Sequence, residues 1–178
     1  KGEIAYRKNN IDQAIASLNQ YLNAGGTPAA NGEANIQTAN YNLGYCLLRK
    51  ENYSAALASF QQAQNVFGAG GEKIASDALL RAADCYYMMK DYNNALSIYN
   101  KVMATGQQGA DYALYQKSII SGVMGNYDQK LQLLHQLSSR YPASGFNNDA
   151  GYEMGITYMD AEQYREAIPY LQKAAESQ

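Results

Sequence analysis

Asn52-Tyr53-Ser54-Ala55-Ala56-Leu57-Ala58-Ser59-Phe60 sets a polar residue before a ring, a small residue three places after the ring, and a bulky residue four places further on. The same order recurs at Asn10-Ile11 with Ala14 and Leu18, at Asp91-Tyr92 with Ala95 and Tyr99, at Asn126-Tyr127 with Lys130 and Leu134, and at Gln163-Tyr164 with Ala167 and Leu171. Read from Ile11 to Tyr53, Tyr92, Tyr127 and Tyr164, the steps are 42, 39, 35 and 37 residues. Self-similarity at this period marks a helical repeat array.

Each copy has a second half. From Asn40 to Lys50, Tyr41, Leu43-Gly44 and Leu47-Leu48 fall on one helical face, and from Ser54 to Phe67 a second face is built from Ala56, Phe60, Ala63 and Phe67. Only Glu51-Asn52-Tyr53 separates them, which predicts an antiparallel helix hairpin. Further pairs are predicted over Ala78 to Lys90 with Asn93 to Ala104, Tyr112 to Met124 with Asp128 to Tyr141, and Ala150 to Ala161 with Arg165 to Ser177. The first copy has only the end of a leading helix, Lys1 to Lys8, before Asp12 to Asn23, so a fragment of a longer chain is expected. Breakers at residues 24–32, at Gly68-Ala69-Gly70-Gly71 and at Tyr141-Pro142-Ala143-Ser144 divide the hairpins.

Repeats of this size cannot bury a core singly. They stack into a solenoid with an extended concave surface, which suits binding better than catalysis. The expected fold is therefore an all-α, right-handed α-solenoid of about five antiparallel hairpins, one domain over 1–178 with units near 1–24, 34–67, 74–105, 110–142 and 147–178.

The net charge of −2, spread evenly, gives no field to attract phosphate backbones or anionic lipid, so no nucleic-acid partner is expected. No run approaches the roughly 18 apolar residues that cross a bilayer, so no direct membrane insertion of this segment is expected. Tyrosine is the outlier, with 17 residues against three phenylalanines and no tryptophan.

Leu43-Gly44, Leu47, Tyr53, Ala56, Phe60 and Ala63 in the second unit, and Met154-Gly155, Tyr158, Tyr164, Ala167, Leu171 and Ala174 in the fifth, resemble the tetratricopeptide repeat. The third unit has Ala82-Ala83 where that family has Leu-Gly, and the fourth has Ser118 at the glycine position and Lys130 at the alanine position. The resemblance covers essentially the whole chain and speaks to fold far more than to function. A narrower likeness, Arg140-Tyr141-Pro142-Ala143-Ser144 followed by Asp149-Ala150-Gly151-Tyr152, is similar to a linkage common in bacterial cell-envelope members, including outer-membrane assembly lipoproteins. It implies an envelope or periplasmic origin; nothing else in the sequence speaks to the compartment.

The resemblance also implies that the leading helix of each hairpin lines the groove. Carried over, the groove positions are Tyr6 and Arg7; Thr38, Tyr41, Tyr45, Leu48 and Arg49; Asp77, Leu80, Asp84, Tyr87 and Met88; Tyr112, Tyr115 and Ile119; and Asp149, Tyr152, Ile156 and Met159. A tyrosine ring buries a large apolar area while its hydroxyl still finds a partner in a wet interface. The expectation is a protein or peptide partner, with specificity from Arg49, Asp77, Asp84 and Asp149. Inter-helix packing is the competing role of such rings. It is the expectation for Tyr53, Tyr92, Tyr127 and Tyr164, and both roles stay open for Tyr41, Tyr45, Tyr87, Tyr115 and Tyr152. The Lys, Asn and Arg clamp of family members that hold chaperone C-termini is missing from these positions, which argues against that role.

No enzymatic activity is expected. His135 has no His, Cys or acid at ligand spacing, and a lone ligand cannot hold zinc, so neither metal nor cofactor is expected. Cys46 and Cys85 sit at equivalent places in neighbouring helices, usually about 8–10 Å apart against the roughly 7 Å that a disulfide tolerates, and read as buried thiols. Two other functions stand beside the scaffold: a spacer or homo-oligomer joined through its repeat ends, and an accessory domain of a larger enzyme.

Overall fold

A computed structural model describes residues 10–26, 35–65, 71–106 and 108–176. Among the described residues are nine helices and no strand: α1 (Ile11–Asn23), α2 (Ile36–Arg49), α3 (Tyr53–Ala63), α4 (Gly71–Met88), α5 (Tyr92–Thr105), α6 (Ala110–Val123), α7 (Tyr127–Arg140), α8 (Asn147–Asp160) and α9 (Tyr164–Glu176). The expected leading helix of the first unit, with Tyr6 and Arg7, lies outside the described residues. The chain forms two compact units, Lys1–Ile98 and Tyr99–Gln178, with the boundary inside α5.

In the first unit α2 and α3 make a hairpin, α1 packs on α2, and α4 packs on both α3 and α2. The small positions are what allow this. A Cβ on Gly44 would meet the Phe60 ring at 2.7 Å, so the glycine of α2 lets the α3 ring lie flush on the backbone. Phe60, Ala56, Ala63, Ala78, Ala82 and Cys85 form one apolar cluster, and Ala14, Leu18, Ala39, Leu43 and Cys46 another. Both thiols are free and buried.

In the second unit α6 pairs with α7, α8 with α9, and α7 with α8. Gly155 repeats the device, since a Cβ there would meet Leu171 at 2.6 Å. Leu114, Leu133, Leu134, Leu137, Ala150 and Met154 form the core.

The hairpin turns share one main-chain pattern. Asn52 N–H reaches Leu47 O, Asp91 N–H reaches Tyr86 O, Asn126 N–H reaches Ser121 O and Gln163 N–H reaches Tyr158 O, each closing the six-residue bond of a Schellman turn. The residue before each donor is left-handed: Glu51 (φ 58°), Lys90 (φ 63°), Gly125 (φ 77°) and Glu162 (φ 60°). Asn52 then caps α3 by accepting from Ala55 N–H at 3.3 Å.

One boundary departs from expectation. The glycine breaker ends earlier than predicted, because Gly71 opens α4 and the helix starts there rather than at Ala78. The reason is tertiary: the buried Gln37 amide donates to Ala63 O at 3.0 Å and to Gly71 O at 2.8 Å, tying the end of α3 to the start of α4. Elsewhere the proline stop holds, and α7 ends at Arg140.

Candidate functional site

In the first unit the leading helices α2 and α4 lie side by side, which brings Tyr41, Tyr45 and Asp77 together. Tyr41 and Tyr45 are one helical turn apart, and both hydroxyls donate to Asp77 Oδ2, at 2.7 and 2.8 Å. Arg81, one turn along α4, approaches the same oxygen at 3.5 Å through Nε and pairs with Asp84 at 2.5 Å through Nη1. The rings are fixed from below, with Tyr45 edge-on to Phe60 at 5.3 Å and Tyr41 edge-on to Tyr45 at 5.0 Å. Burial, and the bond to the Asp77 carboxylate, raise both phenols above their ordinary value of 10.0. These half-buried tyrosines therefore hold α2 against α4, and Asp77 and Asp84 are already engaged.

Of the other positions here, Thr38 is half-buried, Leu48 packs on the Phe60 cluster, Tyr87 tilts against Tyr92 at 6.0 Å, and Arg49 and Met88 are exposed. Leu80 corrects the expectation: it is 4% exposed and lies in the core, because it falls on the inner face of α4 with Ala83.

In the second unit Tyr112 and Tyr115 of α6 are half-buried beneath Phe146 from the loop before α8. Phe146 stacks on Tyr115 at 5.6 Å and tilts over Tyr112 at 5.3 Å. The loop is pinned there: Ser144 Oγ donates to Asp111 at 2.7 Å, and the Asn147 amide donates to Tyr141 O and Pro142 O. Beside this lid runs an open cleft of about 560 Å3, lined by Tyr115, Gly145, Asn148, Asp149, Tyr152 and Glu153. Tyr152 is 50% exposed, and Asp149 is exposed in the first turn of α8. Ile119 and Ile156 are half-buried and Met159 is exposed.

Glu153, Arg81 and Phe146 are site-forming residues that repeat matching does not select. A signal existed for Glu153: Lys130, at an alanine position, needs an acid. Its stem is buried and its ammonium meets Glu153 Oε2 at 2.6 Å. Tyr127 and Tyr164, expected to pack, are instead 56% and 60% exposed, although they open their helices as Tyr53 and Tyr92 do. Tyr53 and Tyr92 are half-buried.

Among the described residues no group of three His, Cys, Asp or Glu could hold a metal ion. No helix among them is long and apolar enough to cross a membrane. His135 is exposed, with Nε2 3.5 Å from the Tyr158 hydroxyl.

Residues 35–108 and 150–178 match the tetratricopeptide repeat family. The chain belongs to the tetratricopeptide repeat family. Solved structures of the same fold include the C-terminal part of a TPR repeat-containing protein from Cytophaga hutchinsonii (TM-score 0.75, 16% identity, 98% of this chain and 62% of that one). MamA from Desulfovibrio magneticus RS-1 (0.71, 15%, 98% and 89%) and YrrB, described as a TPR protein with an unusual peptide-binding site (0.64, 19%, 99% and 82%), are similar too. A search of curated proteins returns no match. The fold class is thus an all-α solenoid of helical hairpins, and family membership makes the chain a protein-interaction scaffold of a generally non-catalytic kind.

Proposed function

We propose that this tetratricopeptide chain docks a segment of a partner protein on its leading helices, with the cleft of Tyr115, Asp149 and Tyr152 as the principal contact. The observation that carries this reading is the half-exposed Tyr152 ring standing beside the Asp149 carboxylate on an open cleft. A ring held by a helix at that exposure has large area to lose to a partner at small rotamer cost, and the adjacent carboxylate selects among partners. In the first unit the Tyr41–Asp77–Tyr45 cluster joins α2 to α4 and is not assigned specificity contacts.

The likeness of the Arg140-to-Tyr158 stretch to cell-envelope members supports a partner in envelope assembly, and a peptide-binding site described for the similar YrrB supports peptide as the ligand class. The test is affinity capture from source-cell envelope extract with the native protein and with Tyr152→Ala plus Asp149→Ala. A specific partner retained by the native chain and lost by the variant is the expected result. Equal capture by both would remove the site from this cleft.

A second reading has its own observation. Tyr164 and Ile168 of α9, one turn apart, are 60% and 52% exposed, a surface suited to a second copy of the chain. Sedimentation at rising concentration, with Ile168→Asp as control, separates self-association from partner docking.

A further inference from the structure

The open cleft of about 560 Å3 in the second unit carries charge of one sign. Asp149 and Glu153 line it, and no lysine, arginine or histidine does. The two carboxylates are not equivalent. Glu153 Oε2 is met at 2.6 Å by the ammonium of Lys130, a side chain only 11% exposed, so that pair is neutral as a whole. Asp149 is exposed, and among the described residues no ion pair or hydrogen bond holds its carboxylate. The cleft is left with one uncompensated negative charge. The start of α8 opposes it with roughly half a positive charge from the helix dipole, which the full charge of the carboxylate outweighs.

The two rings on the cleft differ in the same way. Tyr115 lies against Phe146, stacked at 5.6 Å, which covers one of its faces. Tyr152 is half-exposed and has no ring contact among the described residues. Asp149 and Tyr152 stand three residues apart on α8, so carboxylate and ring share one helix face, with Cβ atoms about 5–6 Å apart. A ring face beside a lone carboxylate suits a flat cation, since a guanidinium stacks on the ring and donates paired hydrogen bonds to the carboxylate at once. An ammonium, compact and strongly hydrated, gains less in a cleft open to water. The chain already holds one such stack, with the Arg140 guanidinium 5.6 Å over the Tyr141 ring. We infer that this cleft takes an arginine side chain of the partner segment, with the guanidinium lying on Tyr152 and pairing with Asp149. This rests on the docking reading above and names the residue that the partner brings.

The experiment is an amide-shift NMR titration of the whole chain with acetyl-Ala-Ala-Arg-Ala-Ala amide, and with the same peptide carrying citrulline or lysine in place of arginine. The arginine peptide should move the amides of Asn148, Asp149 and Tyr152. It should bind about tenfold more tightly than the citrulline peptide, which keeps the shape and loses the charge. The lysine peptide should fall between them. Asp149→Asn should erase the preference for arginine over citrulline with helix content unchanged, Tyr152→Leu should weaken the arginine peptide, and Met124→Ala, at the α6–α7 turn, should change nothing. Equal affinity for arginine and citrulline would overturn the inference and leave the docking reading standing. Equal affinity for arginine and lysine would overturn the choice of guanidinium. No saturable shift at millimolar arginine peptide would overturn the inference as well, while capture of the whole partner decides the docking reading on its own.

Discussion

A Cβ on Gly122 would come within 2.8 Å of Lys130 Cδ, so the lysine stem occupies the space a side chain at position 122 would take. The two residues compensate one another across the α6–α7 hairpin. Lysine replaces the family's alanine, glycine makes the room, and the ammonium emerges at Glu153 on the next hairpin.

Lys130→Ala should therefore destabilise the chain by about 1–3 kcal/mol, through the void at Gly122 and the unpaired Glu153. In that background Gly122→Ala should stabilise by roughly 1 kcal/mol, since the clash is gone and alanine favours helix. Urea unfolding of the four proteins of the cycle measures the coupling; additivity would mean that the two residues are independent.

Tyr41→Phe and Tyr45→Phe should each cost about 1 kcal/mol, because each removes one hydrogen bond to Asp77. Asp77→Ala should cost about 2 kcal/mol, as it strands both phenols at once. Thermal unfolding reads both effects, while Tyr152→Ala, on an exposed ring, should leave the midpoint nearly unchanged.

At the hairpin turns, Lys90→Gly, Glu51→Gly and Glu162→Gly should each stabilise by roughly 1 kcal/mol, since the left-handed backbone penalises a Cβ. Gly125→Ala should lose a similar amount for the same reason. Chemical denaturation of the single variants is the check, and a neutral Lys90→Gly would count against the strain.

Alkaline pH should weaken the fold. Burial pushes the Cys85 thiol from 9.0 up to about 12 and raises Cys46, and it raises the Tyr41 and Tyr45 phenols. These groups ionise more readily in the unfolded chain. Their contribution is full below pH 9 and falls as pH rises through the window between the unfolded and folded values. Unfolding midpoints from pH 7 to 11 should fall above about pH 9, and Cys85→Ala should shrink the fall. A flat profile would contradict the burial argument.

The hairpins were legible in the sequence because each buries one face at helical spacing, so Leu43, Ala56 and Phe60 announce themselves locally. What spacing cannot tell is which neighbour a face will meet. Leu80 shares the periodicity of a groove residue yet turns inward. Phe146 sits in a loop whose length decides that it covers Tyr112 and Tyr115. Gln37 looks like an ordinary polar helix residue until its amide is seen holding two carbonyls of other elements. These contacts join residues 26 to 34 positions apart, a distance no local pattern records.

The four Schellman turns are closed by backbone alone, so each hairpin bends without a side chain to direct it. The main-chain bond forms whichever residue stands at the bend, as glutamate, lysine and glycine at the same station show, although the left-handed backbone favours glycine there. Proteins as different in sequence as 15% and 19% identity share this fold, and a bend made by the main chain is compatible with that spread.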